Sequence, residues 1–168
     1  MVLIYGIILA LPVSVIVFLV SYFSMRHKHN ILWNTILFRC MFAFYLGVLF
    51  AITFLGRADV EGVSFIPFTS YIEAWEKSSL IAWRNILINI VMFVPFGFLI
   101  PLTFKKINSL LQTSIFTVIF SFCIELLQVL SNRGIFEIDD VINNLVGSVV
   151  GYTILKLICK CVVNKENL

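Results

Sequence analysis

Three apolar stretches of the chain carry polar groups at helical spacing. Ser121, Glu125 and Gln128 stand at i, i+4 and i+7, so a single helix face presents all three. Asp140, Asn144, Gly147 and Gly151 share a face in the same way, and Asn85 and Asn89 are four residues apart on a third stretch. Arg133 and Glu137 lie in the short segment between the first two. This set offers defined chemistry. Glu125 and Asp140 are suited to act as acid and base or to position a hydroxyl. The Arg133 guanidinium is suited to phosphate, pyrophosphate or carboxylate through a charge-assisted fork. Gln128, Asn89, Asn144, Asp139 and Glu137 complete the expected substrate-binding set, and the metal question stays open, with a divalent ion held by Glu125, Asp139 and Asp140 as one chemical possibility.

Each group also has a plainer reading. Polar side chains on membrane helices often only join helices, at about 0.6 kcal/mol per hydrogen bond, and Asn85, Asn89 and Asn143 suit that role. Glu125 with Arg133 reads equally as a structural ion pair. Asp139 or Asp140 reads as a helix cap, Asp139 being the better candidate. Gly147-Ser-Val-Val-Gly151 is a small-residue packing pair. An acid, an arginine and paired aspartates at one depth exceed what joining helices requires, and that favours function for the set.

The elements that position these groups follow from composition. The 168 residues are 61% hydrophobic and 12% charged, with a mean hydropathy of +1.05. A soluble domain carries roughly 25% charged residues, so a water-soluble globule and a disordered chain are both excluded. An integral membrane protein remains. Five runs have the ~20 apolar residues a spanning helix needs: 3–23, 35–55, 86–104, 110–130 and 141–159. The first has no basic leader and no small-x-small cleavage site and reads as a retained span. Arg26, Lys28, Lys105, Lys106, Lys156, Lys160 and Lys165 fall on one side of a five-span arrangement, and nearly all the acids fall on the other. The positive-inside rule then puts the N-terminus outside and the C-terminus in the cytoplasm. Glu125 sits roughly 8–10 Å below the outer surface at the rise of a helix. The fold expected is an all-α bundle of about five transmembrane helices, with an outward polar pocket lined by Glu125, Gln128, Asp140, Asn144, Asn89 and Arg133.

Other features are quieter. The segment 56–85 has an apolar middle, Val63 to Phe68, followed by Tyr71, Trp75 and Trp83, and suits the membrane interface. Arg39, about four residues into its span, reads as a snorkelling anchor. Cys40, Cys123, Cys159 and Cys161 form no zinc or disulfide framework and are expected as buried thiols. His27 and His29 flank Lys28 in the first basic segment, far from the outer pocket, so a Ser–His hydrolase is not indicated. Pro95-Phe-Gly-Phe98 either kinks its helix or opens it for close packing. The net charge of +3 is too small and scattered for nucleic acid binding.

Taken together, the motifs resemble those of the VanZ-like family of bacterial membrane proteins. Asn89-Ile-Val-Met-Phe-Val-Pro-Phe-Gly-Phe98 is similar to its N-I-x-x-F-x-P-x-G-F motif, and Ser121 to Gln128 to its S-x-x-I-E-x-x-Q motif. Arg133, Glu137-Ile-Asp-Asp140, Asn144, Gly147 and Gly151-Tyr152 resemble its closing motif, with Glu137 in place of the usual first Asp. Ser64-Phe-Ile-Pro-Phe68 is similar to its N-x-I-P-F, with Ser64 in place of Asn. The resemblance covers about residues 34 to 155. It divides the chain into an N-terminal helix and basic loop (1–30), the family-like membrane domain (31–160) and a short tail (161–168). It implies a multi-pass protein of the bacterial cytoplasmic membrane. The family's namesake is linked to teicoplanin resistance without an agreed biochemical activity, so no cofactor follows from it. The expected partner is a membrane lipid or lipid-linked envelope precursor, with a homodimer through the Gly147/Gly151 face as a further possibility. A protein that shields the drug target or scaffolds an envelope enzyme is the alternative, and a small lipid transporter the weaker one.

Overall fold

The computed structural model describes residues 2–26, 33–55, 61–132 and 134–166. His27, Lys28, His29, Arg57, Asp59 and Arg133 lie outside the described residues. The chain runs through helix α1 (Val2–Arg26), α2 (Trp33–Phe50) with a π-helical continuation (Ala51–Leu55), strand β1 (Glu61–Ser64), α3 (Thr69–Glu76), α4 (Leu80–Thr103), α5 (Leu110–Leu130), β2 (Gly134–Glu137) and α6 (Ile138–Glu166). Among the described residues, five helices are long and apolar enough to cross a membrane. The all-α bundle expected from the sequence is the fold found.

Local chemistry explains the boundaries. Ser109 caps α5 by accepting from the Gln112 backbone N–H, while the Gln112 side chain reaches back, a complete capping box. Ser79 accepts from Ala82 and starts α4 at Leu80, six residues before the expected start. Helix α6 continues to Glu166 and so takes in most of the segment expected as a tail.

Helix α4 is the axle of the bundle and packs against α2, α3, α5 and α6, while α1 rests chiefly on α2 and its π-helical end. Phe42, Leu49, Phe93, Phe96, Leu99, Ile100 and Ile124 form the core, with Phe96 stacked on Phe120 at 4.8 Å between ring centres. The opposite faces are strongly apolar and exposed, as at Val20, Val91, Leu111 and Leu130, which is what lipid rather than water requires. Cys123, Cys159 and Cys161 lie on exposed positions and Cys40 is half-buried, so these thiols are not the buried core groups expected. Their helices turn them outward because the inner faces are taken by aromatic rings and small residues.

The α4–α6 seam is set by glycine. A Cβ on Gly147 would lie 2.0 Å from the Ile90 carbonyl oxygen, one on Gly151 1.9 Å from that of Val94, and one on Gly97 1.9 Å from that of Ser148. Only glycine lets the backbones approach this closely. The Pro95–Phe98 segment therefore serves close packing. The Gly147/Gly151 face is filled by α4 of the same chain and is not free to receive a second copy.

Two short strands were not expected. β1 and β2 pair in parallel, with Glu61 opposite Gly134 and Ser64 opposite Glu137. Each has four residues, too short for an alternating pattern to stand out in the sequence, and they meet only because α3, α4 and α5 fold between them.

Candidate functional site

The polar faces of α4, α5 and α6 converge beneath β2. Ser121, Glu125 and Gln128 of α5 are all buried, Glu125 with 2% of its surface exposed. The first two turns of α6 contribute Asp139, Asp140, Asn143 and Asn144, also buried. The Asn144 side-chain amide donates to the Ser121 hydroxyl at 2.7 Å, joining α6 to α5. Asn89, half-buried on α4, donates to the Asp140 carboxylate. Glu125 accepts from the Glu137 backbone N–H at 3.4 Å, which ties the nest to β2. Below it, the Thr117 and Ser148 hydroxyls meet at 2.7 Å.

The π-helical end of α2 completes this layer. Such a segment breaks the regular i to i−4 ladder. The Thr53 carbonyl accepts from the Gln128 amide nitrogen at 3.1 Å. The other end of that amide is unmatched. Gln128 Oε1 and Asn144 Oδ1 are both buried and accept no hydrogen bond. These two amide oxygens are the unmatched buried side-chain acceptors among the described residues.

Above the nest, Asp139 does something its sequence position does not suggest. Its carboxylate reaches the start of α3, accepting from the Phe68 backbone N–H at 2.6 Å, from the Ser70 N–H at 2.8 Å and from the Thr69 hydroxyl at 3.4 Å. Phe68, the residue before α3, is left-handed at φ 67° and has no side-chain cap of its own. Asp139 is thus a cap for α3, not for its own α6, and both its oxygens are committed to that task. Tyr71 of α3 donates to Asn143, and the Ser70 hydroxyl donates to Glu137 at 3.4 Å. Burial, and then the nearby Asp139 carboxylate, raise the Tyr71 pKa above the ordinary phenol value.

The sequence-derived set is therefore largely brought together. Glu125, Gln128, Asp140, Asn144 and Asn89 share one layer, and Glu137 contributes its backbone. Arg133 is not among the described residues. Asn85 is exposed on α4 and stands apart. The expectation of a pocket open to the outside needs correction, since Glu125, Gln128, Asp139, Asp140 and Asn144 are all buried. The segment from β1 to α3 and strand β2 lie over the helix ends, pinned there by Asp139. Among the described residues no group of three or more His, Cys, Asp or Glu side chains is placed to hold a metal ion, so the Glu125/Asp139/Asp140 metal arrangement is not formed. Sequence reasoning missed Tyr71, Ser70 and Thr53 as members of the layer, and nothing in their spacing marks them.

The remaining feature at this end is apolar. Phe65, Ile66, Phe68, Ile72 and Trp75 are exposed around α3, Trp75 with 79% of its surface. Aromatic rings of this kind are favoured at a membrane interface.

Comparison with known proteins follows the same residues. The family model described as VanZ/LLP1 matches residues 42–159, which takes in every residue of the nest. Protein VanZ of Enterococcus faecium is 35% identical over 69 residues, an alignment covering 41% of this chain and 42% of that protein. No solved structure matches this chain with significance.

Proposed function

The chain belongs to the VanZ/LLP1 family, and from that premise we propose that it works at the outer face of the bacterial cytoplasmic membrane on a cell-envelope lipid or peptidoglycan precursor, lowering susceptibility to glycopeptides such as teicoplanin. In this reading the N-terminus is outside and the C-terminus in the cytoplasm, because Lys105, Lys106, Lys156 and Lys160 stand at one end of the bundle and Glu73, Glu76, Glu137, Asp139 and Asp140 at the other.

One observation carries the proposal: two orphaned side-chain acceptors, on Gln128 and Asn144, buried beside Glu125 and Asp140 where three helices meet. A sugar or peptide headgroup offers hydroxyl and amide donors suited to the Gln128 and Asn144 oxygens. Glu125 and Asp140 act there as acid and base or position a hydroxyl. Arg133 supplies the phosphate or carboxylate contact, and Gln128, Asn89, Asn144 and Glu137 make the remaining contacts to the substrate. Entry of a ligand requires the α3 segment to lift, since it covers the helix ends.

The test is teicoplanin and vancomycin susceptibility in a sensitive Gram-positive host. The host expresses wild type, Glu125→Gln, Arg133→Ala or Asp140→Asn, with membrane levels checked by a tag. Wild type is expected to protect against teicoplanin and each variant to fall toward the empty-vector level. Full protection by all three variants at equal abundance refutes the nest as the working part. A second reading, in which the protein shields the drug target or scaffolds an envelope enzyme without chemistry, draws support from the exposed patch of Phe65, Ile66 and Trp75. It expects Glu125→Gln to be tolerated and polar substitutions in that patch to be damaging.

A further inference from the structure

The opposite end of the bundle carries a second built site. Arg39 lies in the second turn of α2, at ~1.5 Å per residue roughly 9 Å from the start of that helix, and is half-buried. It lines a groove of about 570 Å³ with Thr35, Thr103, Phe104, Lys105, Lys106 and Ile107. A neighbouring groove of about 570 Å³ shares Thr35 and Lys105 and continues along Trp33, Phe38 and Pro101. Either volume falls within the ~300–1,000 Å³ typical of small-molecule sites. The Thr103 hydroxyl donates to the Phe38 carbonyl at 3.3 Å and braces α2 against α4 at this point.

The charge here is one-sided. Arg39, Lys105 and Lys106 have no hydrogen-bond or acidic partner among the described residues, and no acid is among the groove's lining residues. An arginine inside a membrane span without a counter-charge is costly unless something external supplies one. Snorkelling alone would carry Arg39 to the headgroup region, but the groove holds three cations around one apolar-walled space. The cations suit a phosphate, and the ring and aliphatic walls at Phe104, Ile107, Phe38 and Pro101 suit a glycerol backbone and the tops of acyl chains.

We infer that this paired groove is a seat for the phosphate headgroup of an anionic membrane phospholipid, on the side of the bilayer opposite the polar nest. The inference stands on Arg39, Lys105 and Lys106 and is independent of the outer nest and its role. Bound there, the lipid phosphate neutralises Arg39 and ties the α4–α5 turn to the start of α2.

The full chain in mixed phosphatidylcholine and phosphatidylglycerol nanodiscs is extracted, and the lipids retained are counted by native mass spectrometry. Wild type is expected to retain phosphatidylglycerol in preference to phosphatidylcholine. Arg39→Gln should weaken that preference about five-fold, and the Lys105→Gln/Lys106→Gln pair by about that factor for each charge removed. The pair changes only exposed turn residues, so it reports even if Arg39→Gln does not fold. Lys156→Gln/Lys160→Gln removes the same charge from the same end outside the groove and should change nothing. Equal retention of the two lipids by wild type overturns the inference, as does an equal loss in the Lys156/Lys160 pair, which would mean surface potential alone. Displacement of the lipid by inorganic phosphate at matched concentration would reassign the seat to a soluble anion and overturn the lipid assignment.

Discussion

The two ends of the same helices handle polar groups in opposite ways. At one end, carboxylates and amides from α4, α5 and α6 are buried and interlocked, and a lid of β1, α3 and β2 lies over them. At the other end, Lys105 and Lys106 are exposed and Arg39 opens onto a groove with no partner among the described residues. The contrast follows from what each group costs to bury. An amide or carboxylate beneath a lid must find its hydrogen bonds within the protein. Its partners accordingly come from far along the chain: Asn89 to Asp140 spans 51 residues and Phe68 to Asp139 spans 71. A lysine at a turn is solvated and needs none. The covered end is therefore a preorganised layer whose parts depend on one another, and the end at Lys105 and Lys106 an adaptable one whose parts act singly.

That difference is most easily broken at the seam beneath the nest. In Gly147→Ala the new methyl would sit 2.0 Å from the Ile90 carbonyl oxygen, a backbone atom that cannot swing away. Helices α4 and α6 must separate, and Asn89 loses Asp140 with them. Overpacking costs typically 1–3 kcal/mol, and a contact with backbone belongs at the top of that range, about 3 kcal/mol. Lys106→Ala at the α4–α5 turn should stay within about 0.5 kcal/mol of wild type. Thermal unfolding of the purified chain in detergent measures both. A Gly147→Ala protein as stable as wild type would mean that the α4–α6 seam is no tighter than the α4–α5 turn.

The next largest effect separates the lid from the nest. Asp139→Ala leaves the Phe68 and Ser70 N–H groups without their acceptor. Hydrogen bonds to a charged group contribute about 1.5–3 kcal/mol, so a local loss of about 2 kcal/mol is expected. Hydrogen exchange should rise across residues 65–76 while α5 stays protected. Asp139→Asn, which keeps one acceptor oxygen, should fall between. Unchanged exchange over 65–76 would return Asp139 to the ligand-binding role expected from the sequence.

What was legible in the residues divides along the same line. The five spans follow from length and apolarity, and their ends agree with the helices to within a few residues, except that α4 begins early at the Ser79 cap and α6 continues seven residues further, to Glu166. The grouping of Ser121, Glu125 and Gln128, and of Asp140 with Asn144, follows from helical periodicity, which acts within one element. The lid does not. Asp139 capping α3, Tyr71 donating to Asn143 and β1 pairing with β2 are all contacts between segments whose spacing in the chain carries no period. The same is true of Thr53, whose carbonyl meets Gln128 only because α2 ends in a π-helical segment. Grouping along each helix was legible and closure was not, so the expected open pocket is a covered nest.

The smallest effect tests the hinge between lid and nest. Tyr71 reaches from α3 to Asn143 on α6. It is partly exposed, so its hydrogen bond is discounted for solvent, and Tyr71→Phe should cost about 0.5–1 kcal/mol, felt at α3 and not in the five spans. The contact also has a pH signature. Burial and the Asp139 carboxylate raise the folded-state pKa of the phenol, so the protonated form is favoured in the folded protein. A group with a raised folded pKa contributes its stability fully below the unfolded value, about 10 for tyrosine, and loses it as the pH rises through the folded value. The lid should therefore hold at neutral pH and loosen only under alkaline conditions. Trp75 stands on the same helix, and its emission, followed from about pH 8 upward past the phenol range, should shift in wild type and lose that alkaline step in Tyr71→Phe. A step of equal size in both proteins would show that Tyr71 does not couple the lid to α6. The lid would then rest on Asp139 and the β1–β2 pairing alone.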